Sequence, residues 1–208
     1  MIHTVIFDIG NVLMKFDYMP YIKRLLGDDD VIYRVNGAIW RSGYWNEMDR
    51  GRDSEETIPL MLAEEPEYRE EILLTLEKVD QCMIRQEYAI PWIQELKNRG
   101  YQVLFLSNYS HFLREKKPEV LDFIPYMDGG VFSCDVRMVK PDQEIYQTIC
   151  EKYELKPEEC VFLDDNLANI QSAKRYGFHT ILFTDYRSAR EKLESVLNGK
   201  AYTMSEMV

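Results

Sequence analysis

The chain has 208 residues, of which 46% are hydrophobic and 29% charged, a length and balance that suit one folded catalytic domain with a modest insertion. Its formal charge of -11 and isoelectric point near 4.8 repel polyanions, which excludes nucleic acids and anionic membranes as partners. The N-terminal MIHTVIFDIG carries no basic segment ahead of a long apolar stretch, and nowhere do about eighteen apolar residues run together, so no export signal or membrane span is expected and the chain reads as cytoplasmic. The four cysteines, Cys82, Cys134, Cys150 and Cys160, lie far apart with no CxxC pair and read as reduced core thiols. The three histidines, His3, His111 and His179, lack the spacing of a metal site.

Short apolar runs rich in β-formers are expected as strands at His3–Phe7, Gln102–Leu106, Gly130–Ser133, Cys160–Leu163 and His179–Phe183. The first is followed by a segment from Tyr18 to Tyr88 with no convincing strand, rich in Leu, Met, Tyr and acidic residues at helical spacing. It reads as an inserted helical module, with one helix start at Asp53-Ser54 ahead of Glu55 and Glu56 and another at Pro66 ahead of Tyr68–Val79. Beyond it, Pro91–Arg99 is helical, with Trp92, Ile93 and Leu96 as its apolar stripe and Gly100 as its cap. Asp142 to Tyr153 and Leu167 to Tyr176 are helical in the same way, the second ending at Gly177. Strands alternating with amphipathic helices predict an α/β fold with a Rossmann-like parallel sheet. The expected division is a core of residues 1–17 and 89–208 and a helical insert of residues 18–88. The polar, capless stretch from Asn198 to Val208 is expected to fray.

Polar residues gather at or beyond the C-terminal ends of these strands, where open parallel sheets bind ligands. Asp8 follows the first run, Ser107 and Asn108 the second, Lys140 lies beyond the third, and Asp164 with Asp165 follows the fourth. Singly, each is ordinary: an Asp capping a turn, a Ser-Asn pair in a loop, a solvated Lys before Pro. Their recurrence at corresponding positions is what points to a site.

These residues resemble the haloacid dehalogenase superfamily through VIFDIGNV, VLFLSN, Lys140-Pro141 and VFLDDNLAN, its four motifs in order. The resemblance spans nearly the whole chain and places the 18–88 insert where that superfamily carries its C1-type cap. It is nearest to a phosphatase subgroup with Asp-x-Gly-Asn in the first motif, which includes α-D-glucose-1-phosphate phosphatases. The resemblance implies a Mg²⁺-dependent phosphomonoester hydrolase that forms an aspartyl-phosphate on Asp8 and acts on a small phosphorylated metabolite, with a sugar 1-phosphate as a candidate. It implies Asp8, the Gly10 carbonyl and Asp165 as metal ligands, Asp164 and Asn169 behind them holding metal-bound water, and Ser107, the backbone at Asn108 and Lys140 on the phosphate. A monomer and a homodimer are both compatible with it. The physical demand is clear: a dianionic phosphate repels a carboxylate nucleophile until positive charge is supplied, here by Lys140 and the cation.

One position departs from the pattern. Most phosphatases of the superfamily carry a second Asp two residues after the nucleophile to protonate the leaving alcohol, and this chain has Gly10 there. General acid–base help, worth roughly a hundred- to ten-thousandfold, is what the change removes. A good leaving oxygen, such as the hemiacetal oxygen of a sugar 1-phosphate, suffers least. Asp17 is the candidate substitute, with capping of the entry to the insert as its alternative role, and Trp40, Tyr44 and Trp45 are candidates to stack on a sugar or to pack within the insert. A catalytically weak relative that only binds a ligand, and a metal-independent haloacid dehalogenase, are the competing readings. Retention of Asp8, Lys140 and Asp165 weighs against the first, and the Asp164-Asp165 pair against the second.

Overall fold

The computed structural model describes residues 1–199. In chain order its strands are β1 (Thr4–Phe7), β2 (Met14–Phe16), β3 (Met83–Arg85), β4 (Gln102–Ser107), β5 (Gly129–Phe132), β6 (Cys160–Asp164) and β7 (His179–Leu182). Its helices are α1 (Tyr18–Leu26), α2 (Asp29–Asn36), α3 (Tyr44–Asp49), α4 (Ser54–Glu64), α5 (Arg69–Glu77), α6 (Ala89–Asn98), α7 (His111–Lys116), α8 (Ser133–Val136), α9 (Gln143–Tyr153), α10 (Leu167–Tyr176) and α11 (Tyr186–Leu197). A π-turn at Gly37–Arg41 joins α2 to α3.

A five-stranded parallel sheet in the order β5-β4-β1-β6-β7 forms the centre of an α/β fold. Every residue of β1 is buried, as a middle strand covered on both faces requires. Its side chains alternate between two apolar layers. Val5 and Phe7 join Val103, Phe105, Trp92, Ile93 and Leu96 on one face, while Ile6 joins Leu104, Phe162, Ile145 and Ile149 on the other. Phe7 meets Trp92 edge-on at 4.8 Å, which seats α6 against the strand. The chain runs outward from β1 through β4 to β5, then crosses back to β6 and β7. The reversal falls between β1 and β6, and a crevice opens there at the C-terminal strand ends.

The expected strands are those of this sheet, with ends moved by a residue. Pro91 is the third residue of α6 rather than the first, still within the opening turn where a missing N–H costs no helical bond. The stretch between Tyr18 and Tyr88 is mostly helical, but it is not free of strands. β3 pairs antiparallel with β2, Lys15 opposite Ile84, so a short ribbon links the chain leaving β1 to the chain returning toward α6. Three residues are too few for alternation to register, which is why the periodicity of the sequence passes over it.

The segment carrying α3 is held against the sheet's C-terminal edge. The Ser133 hydroxyl donates to the Asp49 carbonyl at 2.6 Å and accepts from the Tyr109 amide at 2.9 Å. Arg50 pairs with Asp142 at 2.7 Å. Gly51 has φ +86°, and a Cβ placed there would lie 2.5 Å from the Cys134 carbonyl oxygen. Only glycine permits so close a backbone approach in that conformation. The four cysteines are buried and unpaired. Among the described residues no helix is long and apolar enough to cross a membrane. The expectation of a frayed end falls almost wholly on residues 200–208, outside the described residues.

Candidate active site

Asp8 is the first residue beyond β1, and its amide donates to the Leu163 carbonyl at 2.8 Å, so the parallel ladder with β6 fixes where its side chain begins. The Asp8 side chain is only 10% exposed. Its Oδ1 accepts from the Ile9 amide at 2.7 Å and from the Lys140 ammonium at 2.9 Å. Burial pushes the Asp8 carboxyl up to about 7; Lys140 opposes the shift, and Asp164 and Asp165 add to it.

Lys140 is buried and bridges two carboxylates, with Asp164 Oδ2 at 2.7 Å on its other side. Burial disfavours its charge, yet Asp164 and Asp8 outweigh that cost and hold its pKa above the ordinary lysine value. The backbone of Lys140 is gripped by Asn108, whose Oδ1 accepts from the Lys140 amide and whose Nδ2 donates to the Lys140 carbonyl, both at 2.9 Å. The Asn108 side chain is therefore committed to positioning Lys140. Asp164, fully buried at the end of β6, also accepts from the Asn166 amide at 2.7 Å and from Asn169 Nδ2 at 3.0 Å. Asn169 thus reaches Asp164 directly, from the first turn of α10.

Asp165 sits at the mouth, where Asn11 Nδ2 donates to its Oδ2 at 3.0 Å. Asn11 has φ +54° and uses its Oδ1 to accept from the Phe16 amide at 3.0 Å. Asparagine tolerates this left-handed conformation better than most residues. One carboxylate oxygen from each of Asp8, Asp164 and Asp165 lies within 4.8 Å of the others. Such a set of hard oxygen donors, with one ammonium among three carboxylates, suits a small divalent cation such as Mg²⁺.

These residues line a cavity of about 300 Å³ that includes Asp8, Gly10, Asn11, Asn108, Lys140, Asp165 and Asn169. Ser107 ends β4 and is 1% exposed, but is not part of the lining. The opposite wall is more apolar and contains Met14, Phe16, Trp45 and Leu113, together with Asp49 and Tyr109. Of the aromatic candidates in the insert only Trp45 lines the cavity. Trp40 stacks on Tyr18 with centroids 4.3 Å apart, and the Tyr44 hydroxyl donates to Glu64 at 3.1 Å. Asp17 is not in the lining either; it pairs with Lys15 at 3.2 Å and its side chain is 41% exposed. From sequence Asn11 is marked only as the last position of the Asp-x-Gly-Asn pattern, and Asp49 and Tyr109 are not marked. Asn11 stands inside VIFDIGNV and was accessible as a residue able to take a left-handed turn, whereas nothing local marks Asp49 or Tyr109.

A model of the haloacid dehalogenase-like hydrolases matches residues 2–177, which is most of the chain. The chain belongs to the haloacid dehalogenase-like hydrolase family. Among curated proteins similar to this chain, a bifunctional epoxide hydrolase 2 of Rattus norvegicus is 32% identical over 125 residues, which cover 56% of this chain and 22% of that protein. The chain thus corresponds to a small part of that longer relative. A sesquiterpene phosphatase of Aspergillus oryzae is 28% identical over 187 residues, covering 88% of this chain and 90% of that one. Among solved structures, a family enzyme of Bacteroides thetaiotaomicron in complex with magnesium and inorganic phosphate superposes with a TM-score of 0.70 at 18% identity, over 89% of this chain and 98% of that chain. The shared fold is that of a family hydrolase.

Proposed function

We propose that this protein is a Mg²⁺-dependent phosphomonoester hydrolase in which Asp8 is the nucleophile. The observation that carries this reading is the placement of the Asp8 carboxylate, buried at the end of the central strand and 2.9 Å from a lysine whose charge is sustained by a second carboxylate. A carboxylate so held is paired with the positive charge that an incoming phosphate needs. Asp8, the Gly10 carbonyl and Asp165 would hold the cation, with Asp164 and Asn169 behind them; when bound, it neutralises phosphate charge that would otherwise repel Asp8. Lys140 orients Asp8 and pairs with phosphate oxygens, and Asn108 keeps Lys140 in register. The Asn108 backbone and Ser107, at the end of β4, are assigned to the phosphate oxygens. Attack of Asp8 on phosphorus gives an aspartyl-phosphate, which water hydrolyses to regenerate the carboxylate. The phosphatase name of the near full-length Aspergillus relative and the magnesium and phosphate held by the Bacteroides enzyme support the same reading.

The substrate is a small phosphorylated metabolite, for which a cavity of about 300 Å³ provides room. A sugar 1-phosphate is the finer proposal, drawn from the Asp8-x-Gly10-Asn11 pattern of the glucose-1-phosphate phosphatase subgroup and from Trp45 and Phe16 in the wall, surfaces suited to the apolar face of a sugar ring. Residues 18–88 are proposed as a C1-type cap on a core of residues 1–17 and 89–208. Hydrolysis of p-nitrophenyl phosphate that requires Mg²⁺ and vanishes in Asp8→Asn tests the reaction class. A panel of sugar 1-phosphates, sugar 6-phosphates and isoprenyl phosphates then tests the substrate; a preference for the 6-phosphates would remove the anomeric proposal.

A further inference from the structure

Attack by Asp8 leaves a leaving oxygen that needs a proton, and Gly10, where the resemblance leads one to expect an acid, has no side chain to give one. Its surroundings are open, since a Cβ built there would meet nothing within 4 Å. Asp17 is too exposed and is engaged by Lys15. The acidic residues of the cavity lining are Asp8, Asp49 and Asp165. Asp8 is bound to Lys140, and Asp165 to Asn11.

Asp49 is different. It is the last residue of α3 and 6% exposed, and its Oδ1 is buried without a hydrogen-bond partner. Beside it in the lining the Tyr109 hydroxyl is buried and equally unpartnered. Buried polar atoms nearly always find partners, so two orphans in one cavity wall mark where a polar group of the substrate belongs. The backbone of Asp49 is fixed by the Ser133 hydroxyl, and that hydroxyl is fixed by the amide of Tyr109, so the two residues share one anchor.

We propose that Asp49 is the proton donor and acceptor of this active site, supplied by the inserted segment in place of the acid missing at Gly10, with Tyr109 as its neighbour at the leaving oxygen. This rests on the phosphatase reading given above. In the first step an Asp8 oxygen bonds to phosphorus, the bond from phosphorus to the leaving oxygen breaks with its electron pair on that oxygen, and the Asp49 carboxyl gives it a proton. In the second, water attacks phosphorus and loses a proton to the Asp49 carboxylate. The Asp8–phosphorus bond breaks, returning Asp8 as carboxylate and releasing phosphate. Burial above all, with Asp8 adding and Lys140 opposing, pushes the Asp49 carboxyl up to about 7, which keeps a proton available near neutrality.

The test is a series of aryl and alkyl phosphates of graded leaving-group basicity, with Mg²⁺ present. Wild-type kcat/KM, which reports the step that expels the leaving oxygen, should depend weakly on leaving-group basicity. Asp49→Asn should lower kcat on every substrate, because water attack in the second step loses its base, while kcat/KM, which reports only the first step, should fall roughly a hundred- to ten-thousandfold on alkyl phosphates and far less on p-nitrophenyl phosphate. Asp49→Glu should recover part of the alkyl activity. Gly10→Asp placed in the Asp49→Asn background should recover it from the other side, since the space at Gly10 is free. A steep dependence of kcat/KM already present in the wild type overturns the proposal without any variant, and so does an Asp49→Asn enzyme whose kcat/KM falls equally on all substrates or is unaffected on alkyl ones. Asp8→Asn is assayed in parallel. If it is inactive on p-nitrophenyl phosphate while Asp49→Asn fails its test, the reaction class stands and Asp49 alone falls; if it remains active, both fall.

Discussion

Asn108 holds Lys140 by two hydrogen bonds of 2.9 Å, one donated by the Lys140 amide to Oδ1 and one donated by Nδ2 to the Lys140 carbonyl. The grip joins the loop after β4 to the residue that pairs with Asp8, across a sequence separation of 32. Asn108→Ala removes both bonds and frees the Lys140 backbone while leaving its ammonium charge intact. A catalytic group displaced by about 1 Å costs on the order of a hundredfold. The expected outcome is a fall of about ten- to a hundredfold in kcat/KM, with the folded state retained by circular dichroism. An unchanged kcat/KM would mean that Asp164 alone positions Lys140.

Asp8→Asn is nearly isosteric and leaves Lys140 its bond to Asp164. It also removes one of three clustered carboxylates, relieving the repulsion that Asp164 and Asp165 exert on it. Activity should disappear because an amide forms no acyl phosphate. The melting temperature should stay within a few degrees of wild type. A cooperative, native-like melt with full activity would reassign the nucleophile.

Added Mg²⁺ should stabilise the fold, because a cation held by Asp8, the Gly10 carbonyl and Asp165 as proposed is bound by the native state and not by the unfolded chain. Saturation at a hundredfold excess over Kd corresponds to about 2.7 kcal/mol. Thermal melts with 0 and excess Mg²⁺ read this without any turnover. Asp165→Asn should remove most of the shift, and an equal shift in that variant would place the ion elsewhere.

Gly51→Ala tests how the inserted segment is held. At φ +86° with a Cβ 2.5 Å from the Cys134 carbonyl oxygen, alanine forces α3 away from the end of β5. Strain and overpacking of this kind cost about 1–3 kcal/mol. The melting temperature should fall, and kcat/KM should fall with it because the wall bearing Trp45 and Asp49 is displaced. A stability equal to wild type would show that the segment accommodates the methyl group by moving freely.

The parallel sheet was legible in the sequence because its strands are short apolar runs buried on both faces, and polar residues stand out where such runs stop. Asp8 follows Thr4–Phe7 and Asp164 closes Cys160–Asp164 for that reason. The ribbon of β2 and β3 was not legible, since Met14–Phe16 and Met83–Arg85 are each too short to show a period and acquire strand geometry only by pairing with each other. The sequence points the Asn108 backbone toward phosphate, but that its side chain holds the Lys140 backbone is a partnership no local pattern discloses.

By itself, then, the sequence determined the α/β order of the elements, the family, and the acidic and basic residues that the strand ends carry, because hydrophobic burial along a strand is a local property. The tertiary structure decided which of these touch, and it alone decided the state of Asp49. Read locally, Asp49 is one polar residue at the end of a short helix, indistinguishable from a solvated one. The seating of Gly51 on Cys134 and the bond from Ser133 carry it into the cavity and strip it of water. Desolvation depends on what the rest of the chain places around a group, and that is information no stretch of sequence near the group contains.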